Sequence, residues 1–267
     1  MAGTWYRLDG IHVWWDAMAS TQIGVVRIMI DGEWDISDLA DLSDSLSESY
    51  GLLYPLVASD DEVRARLHDL IRKQFWSGDI ETRNFGRYLY RNIPTAEALK
   101  LKSFSYSSPG ALEIAGALGV LLMATKVTRA IIASASEFID LWAKVDKFFE
   151  DRKHLKRPSR KTTVDDGLAL NSDEALSLCR EVAGKLGFDA ISCERIVEIA
   201  GNPIAALKFI VAVGAQGGKL ARLQKDGLLS LPPLTEDTQV SAPARRGRRI
   251  GRTGIPVETK RRRRPKS

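Results

Sequence analysis

The chain has 267 residues, 44% apolar and 27% charged, which suits one large domain or two modest ones and excludes wholesale disorder. Its net charge of +5 hides a segregation: residues 241–267 hold eleven Lys or Arg against one acid, Glu258, so this end carries +10 and the first 240 residues −5. Charge gathered into one terminal stretch serves contact rather than folding.

In chain order, Thr4–Leu8 and Ile11–Trp15 are short aromatic strand-like runs parted by the turn dipeptide Asp9-Gly10. Ile23–Ile30 alternates Val26, Ile28 and Ile30 with Val25, Arg27 and Met29, which predicts a strand lying centrally in a sheet. From Ile36 the period changes. Leu39, Leu42, Leu46, Tyr50 and Leu53 fall on one helical face, leaving Asp38, Asp41, Asp44 and Glu48 to water. Ser59 with Glu62 reads as a capping box for a helix through Leu67 and Ile71 that ends at Gly78. A short helix through Phe85, Tyr88 and Leu89 stops before Pro94. Leu99–Tyr106 reads as a strand whose phase slips near Ser103-Phe104, as at a bulge, with Lys100 and Lys102 guarding an edge or a wet face.

Ser108-Pro109 reads as a helix start, and nothing stops the pattern before Pro158. The expectation is therefore one long helix, with Gly116, Gly119 and Ser134–Ser136 as possible bends. Its second half carries a heptad-like seam of Ile131, Ala135, Phe138, Trp142, Val145 and Phe149, which seeks another helix of this chain or of a partner. A basic, Pro-interrupted linker follows at 152–161. Beyond it three helices are expected: one capped by Asn171 and closed by Gly187, one capped by Ser192 and closed by Gly201, and an apolar one begun by Asn202-Pro203. Leu220–Leu229 offers a fourth. After Pro232-Pro233 the residues lack bulky apolar side chains and repel one another, which predicts a disordered tail.

These elements describe an α+β protein: an N-terminal α+β domain (1–107), a long helix (108–157), a basic linker (158–167), a helical unit (168–231) and an Arg-rich tail (232–267). Cys179 and Cys193 cannot form a disulfide framework and read as buried reduced thiols. With no signal-peptide pattern in Met1–Asp16, the expected location is the cytoplasm.

No catalytic, cofactor or metal residue is assigned. The stretch Phe209–Lys219 invites a phosphate-loop reading, but Val213 stands where the first glycine belongs and Leu220 where the magnesium-binding hydroxyl belongs. It reads as a buried helix with a Gly-rich C-cap. His12, His68 and His154 have no partner at ligand spacing. The clusters Asp60-Asp61-Glu62, Asp165-Asp166 and Asp173-Glu174 sit where helix starts are expected, so the helix dipole explains them. Trp5, Trp14, Trp15 and Trp34 could stack on bases, yet the acids around them favour core roles. The run Ile114–Ala124 is too short to span a bilayer, which takes about 20 apolar residues.

The tail carries the clearest binding chemistry. Arg245, Arg246, Arg248, Arg249 and Arg252 form one block, and Lys260, Arg261, Arg262, Arg263, Arg264 and Lys266 a second. Guanidinium forks match phosphate oxygens bidentately, and nothing interleaves to read bases. The partner expected is nucleic acid or another polyanion, held nonspecifically. The seam residues Ile131, Phe138, Trp142, Val145 and Phe149 are expected to mediate self-association or contact with a helical partner. The alternative function is a membrane-active effector inserting residues 114–132 after assembly. Around Tyr106-Ser-Ser-Pro-Gly110 and Glu113, ahead of the expected long helix, residues 23–150 resemble a loose group of uncharacterised bacterial proteins with an N-terminal strand–helix unit and a Tyr-x-Ser-Pro turn. The resemblance implies no activity and transfers no functional residue.

Overall fold

The structure, a computed structural model, describes residues 22–76, 84–105, 109–153 and 164–231, and only the backbone of 152–153 and 164–171. It is α+β, with a four-stranded antiparallel sheet and helices. Strand β1 (Ile23–Ile30) buries Val26, Ile28 and Ile30 on one face, as its alternation predicts. It lies inside the sheet, between β3 (Gly110–Ala117) and the short β4 (Leu229–Ser230), while β2 (Lys100–Ser105) forms the outer edge beyond β3. The expected slip in β2 is present as a register shift between Leu101 and Ser103.

β3 corrects the expectation of a helix beginning at Ser108-Pro109. Ala, Leu and Glu favour helix locally, but residues 110–117 pair with all eight residues of β1. Leu112 and Ile114 lie opposite Ile28 and Val26, and Glu113 opposite Arg27. Apolar side chains meeting across a sheet override a propensity of a few tenths of a kcal/mol per residue. Helix begins only with α4 (Leu118–Ala133), breaks at Ser134, and resumes at a 97° bend as α5 (Ala135–Lys153). Segment 114–132 is thus divided between a strand and α4, where Val120, Leu121, Met123 and Val127 are buried.

Helix α1 (Ile36–Leu53) starts with a reciprocal capping box: Asp35 Oδ1 accepts the Asp38 amide at 2.9 Å, and Asp38 Oδ2 accepts the Asp35 amide at 3.1 Å. A 3-10 turn (Tyr54–Leu56) leads to α2 (Asp61–Trp76). Its cap is Asp60, which accepts the Val63 amide at 2.9 Å, rather than the expected Ser59. The short α3 (Phe85–Tyr90) follows as expected. Helix α6 (Val164–Lys185) begins seven residues before the expected cap at Asn171, so Asp173-Glu174 lies inside a helix and not at its start. Helix α7 (Ala190–Ala200) is capped by Asp189, whose carboxylate takes both the amide and the hydroxyl of Ser192, at 2.7 and 2.6 Å. Ser192 is the donor there, not the cap.

Asn202 and Pro203 start α8 (Pro203–Lys225) as the sequence predicts, with Asn202 accepting the Ala205 amide at 2.8 Å. The helix then runs unbroken through the Gly-rich stretch read as its end, because glycines at 214 and 217 admit neighbouring side chains. It buries Leu207, Phe209, Ile210, Val213 and Leu220 and touches α1, α2, α4, α6 and α7. This is the one described helix apolar and long enough to cross a membrane, and 72% of its apolar window is covered by the rest of the fold. Around it a single hydrophobic cluster extends from Val26 to Leu231.

Candidate functional site

Where α8 meets α4 and α5, the sequence-predicted seam is filled from within the chain. Phe138 and Val145 are buried, and Ile131, Trp142 and Phe149 are partly buried against the same core. The Trp142 ring stands 2.8 Å from where a β-carbon on Gly214 would be; Val127 and Ile131 stand 2.7 and 2.9 Å from that of Gly217. Lys208 Nζ lies 6.0 Å from the centre of the Phe149 ring. Ile131 of α4 and Trp142 and Phe149 of α5 thus meet α8 at positions 217, 214 and 208, whereas Ala135, also expected in the seam, is exposed. The polar face of α5 also has partners, since Lys144 pairs with Glu181 of α6 at 2.8 Å and Glu137 pairs with Lys185.

A second face of α8 borders a cleft of about 570 Å3. Asp41, Asp44, Ser45 and Glu48, at three- and four-residue spacing on α1, form one wall. Ala215, Gln216, Lys219, Arg222 and Leu223 of α8 form the other, and Asn84 and Arg87 also line it. The glycine pair Gly51 and Gly86 sets this geometry. A β-carbon on Gly51 would lie 1.9 Å from the Gly86 carbonyl oxygen, and one on Gly86 would lie 2.4 Å from that of Glu48. Backbone thus meets backbone, and α3 is drawn close enough for Arg87 to pair with Asp44 at 2.5 Å. Asn84, just before α3, has φ +64°, a left-handed conformation that costs a non-glycine residue about 1 kcal/mol or more.

The electrostatics of the cleft are unusual at its inner end. Glu48, expected to face water, is only 4% exposed, and its Oε2 accepts no hydrogen bond. Lys219 Nζ stands 3.8 Å away, close enough to attract but too far to donate. Gln216 is 6% exposed, and its Oε1 likewise has no donor. A buried acceptor left unpaired costs about 1–3 kcal/mol, more when charged. Two such groups border a cleft whose lining otherwise balances three acids (Asp41, Asp44, Glu48) with three cations (Arg87, Lys219, Arg222). Sequence reading missed Glu48 because it shares its spacing with the exposed acids. The one signal was the pair Ser45 and Ser49, small residues four apart on one helical face and both buried.

The structure also joins two residues that the sequence left apart. Cys179 of α6 and Cys193 of α7 are both buried, with their sulfurs 3.9 Å apart. The hydrogen bond to Cys193 together with burial pushes the Cys179 thiol above its ordinary range, and the same bond draws Cys193 downward against its own burial. His68 is half-buried. Its Nε2 lies 3.4 Å from the Pro55 carbonyl oxygen, and burial lowers its pKa. Trp34 packs against the core and donates to the Asp31 carbonyl at 3.0 Å. Among the described residues no group of three or more His, Cys, Asp or Glu side chains gathers as a metal site would require.

The tail cations from Arg245 to Lys266, the N-terminal tryptophans Trp5, Trp14 and Trp15, His12, His154 and most of the basic linker lie outside the described residues. No family model matches the chain, and neither a curated protein nor a solved structure matches it.

Proposed function

We propose that this chain is a non-enzymatic binding protein that holds a polyanion, with nucleic acid the preferred one, through residues 241–267. The observation that carries this reading is the segregation of charge: +10 in the last 27 residues against −5 in all that precede them. Nine of the eleven cations are arginine, whose planar fork pairs with phosphate oxygens. The folded body supports a division of labour. Its apolar seam is satisfied internally, and its cleft carries balanced charge, so neither competes for a strongly anionic surface.

The test is fluorescence anisotropy with a labelled DNA duplex across a salt series, on the full chain and on a chain ending at residue 240. Full-length protein should bind with a log–log salt slope of roughly −4 to −7, as expected when part of the cationic set displaces counterions. The truncated chain should lose binding and keep its melting temperature. Binding retained by the truncated chain at low salt would overturn the assignment to the tail.

A further inference from the structure

The cleft between α1 and α8 is independent of the tail and carries its own ligand chemistry. We propose that it is a binding site for a small zwitterion: a molecule with a protonated amine at one end and a carboxylate or phosphate at the other.

The inner end sets the amine. Glu48 Oε2 and Gln216 Oε1 are both acceptors, both enclosed, and both without a donor. An ammonium group brings three N–H donors and no acceptor, which is the complement of this pair. A free anion is repelled there by Glu48. A metal ion would need more ligands than the carboxylate and one amide oxygen supply.

The rim sets the anion. Lys219 is 55% exposed on a flexible stem, so its ammonium can leave the neighbourhood of Glu48 and turn outward when the ligand's amine takes its place. Arg222 is exposed on the next turn of the same helix. Arg87, already held by Asp44, is committed to the wall. Two cations thus remain for the ligand's acidic end. The volume of about 570 Å3 admits such a molecule together with water.

The experiment is calorimetric titration and thermal shift on the full chain, using 5-aminovalerate and O-phosphoethanolamine as probes, with n-butylammonium and valerate as the two halves. At least one zwitterion should bind roughly tenfold or more tightly than either half and raise the melting temperature. Glu48→Gln should abolish this response while changing the stability of the ligand-free protein little, since it removes a buried carboxylate that accepts no hydrogen bond at Oε2 and meets Lys219 only at 3.8 Å. Lys219→Met, on the exposed rim, should lose the preference for the zwitterion over n-butylammonium. It provides the test if Glu48→Gln fails to fold. The proposal is overturned if neither zwitterion outperforms its halves, or if both variants bind as the wild type does.

Discussion

Three glycines of α8 offer a measurement in which the helix serves as its own control. Replacing glycine by alanine inside a helix stabilises by about 1 kcal/mol when the new methyl group meets nothing. Gly218 is such a position, with no atom within 4 Å of an added β-carbon. At Gly214 the same methyl would stand 2.8 Å from the Trp142 ring, and at Gly217 it would stand 2.7 Å from Val127 Cγ1. Overpacking of this kind costs about 1–3 kcal/mol. Gly218→Ala should therefore stabilise by about 1 kcal/mol, while Gly214→Ala and Gly217→Ala should range from neutral to about 2 kcal/mol destabilised. Urea denaturation followed by circular dichroism resolves a difference of that size. In a Trp142→Ala background the penalty at Gly214 should vanish, because the two changes share one contact. Equal stabilisation by all three alanines would refute the seating of Trp142 in α8 and return the seam to a partner. In that case melting would also depend on protein concentration.

Tyr50→Phe should cost about 2–4 kcal/mol, because it strands both the Ala117 amide, which donates to the hydroxyl at 2.7 Å, and the Glu97 carbonyl, which accepts from it. Chemical denaturation measures this; a loss under 1 kcal/mol would mean that water replaces the phenol. Burial raises the pKa of Tyr50 and Tyr54 above the ordinary phenol value, so the folded state holds those protons longer than the unfolded one. Their contribution is intact below about pH 10 and is lost as pH climbs from there toward the folded-state values. Tyr50→Phe should flatten the alkaline limb of a melting-temperature series. Asp189→Ala should cost about 1 kcal/mol by uncapping α7, and Ser192→Ala distinctly less, since the Ser192 amide keeps its acceptor. The reverse order would restore Ser192 as the cap.

What could be read from the sequence is what local chemistry decides. The alternation in β1, the apolar face of α1 from Leu42 onward (Leu39 is exposed), the slip in β2 and the Asn202-Pro203 start of α8 each need only a few neighbouring residues. What could not be read is decided at a distance. Gly110–Ala117 has the composition of a helix and becomes β3 because β1, some eighty residues earlier, offers a matching apolar face. Gly214 and Gly217 resemble a helix end until Trp142 and Val127 are brought against them. Asp41, Asp44 and Glu48 are indistinguishable by spacing. The packing of α8 against α1 is what separates the buried member from its exposed neighbours.

Within α8 two polar side chains are buried, and the contrast between them isolates the cleft. Lys208 is 4% exposed, yet its ammonium donates to the Phe75 carbonyl at 3.4 Å and faces the Phe149 ring at 6.0 Å. A buried cation is thus given an acceptor and an aromatic face, the two things that offset its desolvation. Two turns later Gln216, equally buried, has a carbonyl oxygen with no donor, and across from it stands Glu48 with a carboxylate oxygen in the same condition. Gly217, next to Gln216, is where Val127 and Ile131 press closely on the helix. Poor fit in general is therefore not the reason. Folded chains satisfy nearly all their buried polar atoms; of the four side-chain atoms left unpaired among the described residues, at Glu48, Ser49, Gln216 and Gln224, the acceptors of Glu48 and Gln216 line one cleft, which is where a donor from outside the chain would complete both.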